Sequence, residues 1–205
     1  MIMMRKIDNY LWPVLMIIGA VVCYVCGAEA TLREGGAWWE RFAYEMCHAN
    51  VWHLAANVFF LVMLMYSGLK NMWLSYLLAY LIAASAPALG VPTMGMSGVC
   101  YALMGMCSWQ VRNKWRYHAW SAALIGMCLL WPGVVNNVLH VWSYVLGVGA
   151  GWAVGWILSR FEPKRLLMIR RRASAHRTEP AKNGFRPKSH SKYTKPKNRN
   201  RKKNR

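Results

Sequence analysis

Apolar residues run along the chain in long blocks separated by short polar or charged connections. Six blocks stand out: Tyr10 to Gly27, His48 to Gly68, Met72 to Gly90, Gly95 to Val111, Tyr117 to Val135 and Val138 to Ser159. Each holds about 17 to 22 residues and no Lys, Arg, Asp or Glu, close to the roughly 20 residues a helix needs to cross about 30 Å of hydrocarbon. Within the blocks the hydrophobicity goes round every face, as it does in helices that meet lipid or lie inside a bundle, and no alternating strand pattern competes. The pattern predicts an all-α membrane protein with six transmembrane helices. The first block follows Arg5 and Lys6 like a signal peptide, but it is longer than a usual signal-peptide core and is expected to remain as a helix.

Charge orients these helices, because basic residues concentrate in segments left in the cytoplasm. Arg5 and Lys6 precede the first span, Lys70 lies between the second and third, and Arg112, Lys114 and Arg116 lie between the fourth and fifth. The other connections hold only Arg33 and Arg41, offset by Glu29, Glu34, Glu40 and Glu45. Both termini are therefore expected in the cytoplasm, with spans two, four and six running inward from the outer face. The net charge of +19 is mostly a property of the end of the chain: after Ser159, 18 basic residues less Glu162 and Glu179 give +16. The organisation predicted is a short cytoplasmic N-terminus over 1–9, a six-helix core over 10–159 and a basic tail over 160–205. Too little of the tail is apolar to offset the cost of ordering it, although Phe161 to Ile169 could extend the sixth helix briefly. The partner expected for it is anionic lipid headgroups. A nucleic-acid contact fits the charge alone, but no recognition module accompanies it, so no specific nucleic acid is expected.

The six cysteines, Cys23, Cys26, Cys47, Cys100, Cys107 and Cys128, lie inside the spans or at their edges, where thiols behave as small hydrophobes. Cys23 and Cys26 form a C-x-x-C near the outer end of span one, which leaves redox or metal chemistry open there, with Cys47 and His48 as helpers.

Polar side chains are costly in hydrocarbon, so each is a functional candidate until a partner accounts for it. Four stand near the starts of the three inward-running helices: His53 and Asn57 in span two, Ser97 in span four and His140 in span six. The charge-derived orientation puts them at one depth, in a polar pocket open to the outer face. His53 and Asn57 are four apart and project from one helix face. Ser97 sits where a loop enters a helix, between Gly95 and Gly98, which allow close backbone approach. There the unpaired N–H groups and positive end of the helix suit an oxyanion. A serine hydroxyl needs a base, and His140 is the candidate. No Asp or Glu lies in any span, so the expectation is a dyad without an acid. Ser143, Gly147, Gly151 and Gly155 recur every four residues after His140, a flat face for which Ala102 and Gly105 of span four are candidate partners. On these residues alone, His53 with Asn57 could equally be a structural hydrogen-bond pair and His140 a core histidine. His48, His53 and His140 could hold a metal, but no carboxylate or thiol set completes such a site.

Three motifs resemble those of the rhomboid intramembrane serine proteases. His48-Ala-Asn-Val-Trp-His53-Leu-Ala-Ala-Asn57 is similar to the second-helix motif H-x4-H-x3-N. The run Gly95-Met96-Ser97-Gly98, with Tyr101 and Gly105 after it, is similar to the family's G-x-S-G segment, and His140 opens the last helix. The resemblance implies Ser97 as nucleophile, His140 as general base, His53 and Asn57 as oxyanion donors beside the Ser97 amide, and Tyr101 stacked on His140, with Gly95, Gly98 and His48 in support. It further implies an extracytoplasmic site in a multi-pass cell-membrane protein of bacterial inner-membrane type, transmembrane proteins as substrates, and no metal or cofactor. Three departures mark this chain. Ser143 stands where the family often has Gly, Trp39-Glu40-Arg41 separates a commonly adjacent Trp-Arg pair, and Met94 replaces a frequent glycine. The alternatives are a rhomboid-like pseudoprotease that binds transmembrane clients without cutting them and, more remotely, a small transporter or channel. Nothing in the sequence bears on oligomeric state.

Overall fold

The computed structural model describes residues 2–67, 69, 72–88, 91–130 and 135–177, with side chains from Tyr10 to Arg160 within them, leaving out Met72. The chain divides into two compact units, Met1–Phe161 and Glu162–Arg205. Among the described residues seven α-helices follow one another: α1 (Ile2–Val25), the short α2 (Glu40–Ala43), α3 (Val51–Met65), α4 (Met72–Ala84), α5 (Ser97–Cys107), α6 (Lys114–Met127) and α7 (Asn137–Arg177). A 3-10 turn at Cys128–Leu130 follows α6. Among the described residues there is no strand beyond an isolated antiparallel bridge between Leu32 and Thr93. The fold is all-α.

Helices α3, α5 and α6 are shorter than the apolar blocks they correspond to, and capping explains where α3 and α6 begin. Asn50 has extended backbone and its side chain accepts from His53 N, so α3 starts at Val51 and His48 lies ahead of it. Asn113 likewise accepts from Arg116 N, which draws Lys114 and Arg116 into the first turn of α6 instead of the connection before it. One described helical stretch, Asn137–Arg160, is long and apolar enough by itself to cross a membrane. Tyr10–Val25, Val51–Met65, Trp73–Ala84 and Ser97–Cys107 are shorter apolar helices. Helix α7 continues to Arg177, beyond the brief extension to Ile169 expected of it, and the remainder of the basic tail lies outside the described residues.

Burial separates the faces that composition left alike. On α1, Pro13, Met16 and Ala20 are buried at helical spacing, while Leu15, Ile18 and Val22 on the other side are exposed. Helix α1 packs on α3 and α4, and α5 packs on both of these as well. The core gathers on α5, where Val99, Cys100, Ala102 and Leu103 are fully enclosed. Along α7 the small residues expected to admit a close neighbour do so: a Cβ on Gly147 would collide with the Ala102 backbone, and one on Gly151 would lie 2.7 Å from Met106 Cα.

Candidate active site

Ser97 is the first residue of α5, and the loop that delivers it is pinned to distant backbone. Leu32 N donates to Thr93 O at 2.7 Å, Thr93 N donates to Leu32 O at 3.0 Å, and Gly95 N donates to Tyr44 O at 2.8 Å. Gly95 has φ of 109°, a left-handed conformation natural to glycine. A Cβ there would lie 2.7 Å from His53 Cε1 and 3.0 Å from Asn57 Nδ2, so two side chains of α3 close on the loop through space that only glycine leaves free. Gly98, one residue past Ser97, lets α4 and α7 approach: its Cβ would stand 2.9 Å from Ala83 Cβ and 3.4 Å from Ser143 Oγ. Ser143 is fully buried, so the hydroxyl that departs from the family pattern packs directly beside the turn carrying Ser97.

His140, in the first turn of α7, places Nε2 3.1 Å from Ser97 Oγ. The Tyr101 ring stacks on the His140 imidazole at 4.2 Å between centroids and 30° between planes. His140 Nδ1 has no hydrogen-bond partner among the described residues, so no carboxylate orients the ring; Tyr101 and the packing around it do. With the ring proton on Nδ1, Nε2 is free to accept from the serine hydroxyl. Asn57 is buried and its Nδ2 has no partner among the described residues. A buried unpaired donor costs about 1–3 kcal/mol, an expense that makes sense where an outside acceptor is to be received. His48 is also buried, with Nδ1 3.3 Å from Met46 O and its ring edge-on to His53 at 5.2 Å, so it packs behind His53.

A cavity of about 500 Å³ is lined by His53, Asn57, Ser97, Tyr101 and His140 together. Cys128 and Asn136 are among the other residues that line it. Asn136 had no place among the candidates drawn from the sequence. Its signal there is an asparagine just ahead of the last apolar run, the position of a helix N-cap. Its Oδ1 accepts from Leu139 N at 3.0 Å and its Nδ2 donates to Val91 O at 3.3 Å.

The connection between α1 and α3 is tied down in ways its charge pattern does not suggest. Arg41 Nη1 donates to Ala86 O at 2.9 Å, and Tyr44 Oη donates to Ala83 O at 3.0 Å. Glu45, read from the sequence as one of the acids balancing this loop, is fully buried with neither carboxyl oxygen hydrogen-bonded among the described residues. Burial holds its carboxyl well above the ordinary carboxylate range. The C-x-x-C occupies the end of α1, where Gly27 N donates to Tyr24 O and Ala28 N to Cys23 O around a left-handed Gly27. All six thiols are free.

A family model described as the Rhomboid domain matches residues 35–161, more than half of the chain. No curated protein matches the sequence.

Proposed function

Because this chain belongs to the rhomboid family, a membrane-embedded family usually made up of intramembrane serine proteases, we propose that it is an intramembrane serine endopeptidase with Ser97 as nucleophile and His140 as general base. The observation that carries the reading is the 3.1 Å separation of His140 Nε2 and Ser97 Oγ, two groups 43 residues apart on different helices. In this account Ser97 Oγ attacks a peptide carbonyl as its proton passes to Nε2, and the same proton then goes to the leaving amine. Water, deprotonated by His140, releases the acyl group and restores the serine. The oxyanion is received by the Ser97 amide at the head of α5, by His53 and by Asn57 Nδ2. Tyr101 keeps the imidazole in plane, His48 backs His53, and Gly95 and Gly98 keep the approach open.

The topology proposed with it has six membrane-crossing segments, both termini in the cytoplasm and the cavity opening on the extracytoplasmic side of a bacterial-type inner membrane. The 11 residues of α5 cover about 16 Å. Ser97 then lies well below the outer surface, where a loop is tolerable only if protein or a water-filled cavity encloses it. Substrates are transmembrane helices of other proteins, whose scissile segment must unwind, which favours Gly, Pro or polar helix breakers near the cut. The basic tail meets anionic headgroups.

Cleavage of a helix-destabilised transmembrane model substrate by the full chain in detergent tests this reading. Ser97→Ala is expected to abolish cleavage, and Asn57→Ala to lower kcat by about 10²–10³ with little change in KM. Equal cleavage by wild type and Ser97→Ala would rule the dyad out. A folded wild type that cuts nothing would favour a pseudoprotease that only binds such helices.

A further inference from the structure

Ser97 and His140 begin different helices, so their pairing depends on what fixes the start of α5 against the start of α7. The serine side is anchored by the Leu32–Thr93 bridge and the Gly95–Tyr44 hydrogen bond. Neither reaches α7. Asn136 does. Its carbonyl oxygen side caps the first turn of α7 at Leu139 N, and the peptide N–H of His140 donates to its main-chain oxygen at 3.3 Å. Its amide nitrogen crosses to the carbonyl of Val91, 45 residues away in sequence and in the segment that leads to Ser97. The same carbonyl accepts from Thr93 Oγ1 at 2.8 Å, which holds it in place as a receptor.

Few side chains can make both contacts. The cap needs a short acceptor and the bridge needs a donor on the same short stem, which is the amide of asparagine. Aspartate would cap equally well and has no proton to give Val91. Serine also caps by accepting at its oxygen, but the O–H it has left sits on that same atom at the helix end, and there is no second atom like the asparagine nitrogen to reach Val91. Asn136 is buried, so both contacts are shielded from water.

We infer that Asn136 is a positioning residue, joining the first turn of α7 to the Val91–Thr93 segment and thereby setting the Ser97–His140 separation. Its effect on turnover rests on the dyad reading above, whereas its effect on the geometry of His140 does not. Misplacement of about 1 Å between reacting groups costs on the order of a hundredfold in rate, so a lost bridge should be felt in turnover before it is felt in folding.

The test compares full-length wild type, Asn136→Ser, Asn136→Asp and Asn136→Ala in one detergent. Serine and aspartate keep the cap and lose the bridge; alanine loses both. Asn136→Ser and Asn136→Asp are expected to melt near wild type and to lose about ten- to a hundredfold in kcat with KM held within about twofold, and Asn136→Ala to lose at least as much and also to melt lower. In parallel, ¹⁵N spectra of histidine-labelled protein should show His140 Nε2 hydrogen-bonded in wild type and released in Asn136→Ser, as in Ser97→Ala. Wild-type turnover in both capping variants, with an unchanged His140 signal, would overturn the inference. If wild type itself cuts nothing, the protease reading fails, and the ring signal alone still decides whether Asn136 positions His140.

Discussion

Helices α5 and α6 follow each other in sequence and meet opposite conditions. Every residue of α5 from Gly98 to Cys107 is buried, whereas on α6 only Ser121 is. Trp115 and Trp120 of α6 stand 80% and 73% exposed, as a lipid-facing helix allows. Besides the packing of Tyr117 and Ile125 on the core, two polar hooks hold α6: Tyr117 Oη donates to Met104 O, and His118 Nδ1 pairs with Tyr144 Oη, each at 2.7 Å. The helix that begins with the candidate nucleophile thus has protein on every side, and its neighbour is attached at points. Close packing fixes a position to fractions of an ångström and tolerates no added volume; hooks permit movement and cost little to lose.

The largest effect expected from this contrast is at the α5–α7 contact. Gly147→Val would drive a branched side chain into the Ala102 backbone and should cost about 3 kcal/mol or more, seen as loss of the folded form in a detergent melt. A wild-type melt would mean that the two helices are not packed as described. A smaller effect concerns charge beside the packed region. The folded-state pKa of Glu45 is raised by burial, so folding is most favourable while the group is protonated in both states, below its ordinary value of 4.5. Stability is then lost as pH rises from there toward the folded value. Glu45→Gln should therefore match wild type near pH 4 and melt higher than wild type at pH 8; parallel melting curves at both pH values would contradict a buried neutral acid. The smallest effect is on α6. Tyr144→Phe removes the His118 hook and should cost about 0.6–1.7 kcal/mol, with cleavage kept within about twofold. A collapse of activity there would show that α6 is held as strictly as α5.

What could be read from the sequence was what local chemistry displays. Uncharged polar residues in apolar surroundings marked out His53, Asn57, Ser97 and His140, and the four-residue recurrence after His140 marked the face that meets Ala102. Features that depend on distant backbone were not legible. Nothing near Thr93 announces a bridge to Leu32, and nothing near Asn136 announces a donor to Val91, because neither partner is a neighbour in sequence. Glu45 reads as a loop acid among other loop acids until Tyr44 and Arg41 are seen fastening that loop onto α4 and the turn after it. The helix ends differ from the blocks for a related reason: hydropathy runs straight through Asn50 and sets Asn113 in a charged connection, while capping by their side chains decides where the helical hydrogen bonds start.

The central claim is that Ser97 is an activated nucleophile. Labelling of the folded, detergent-solubilised chain with a serine-directed fluorophosphonate, followed by peptide mapping, tests it most directly. The account predicts covalent modification at Ser97 that disappears in His140→Ala; no labelling of the folded protein, or labelling that survives His140→Ala unchanged, would contradict it.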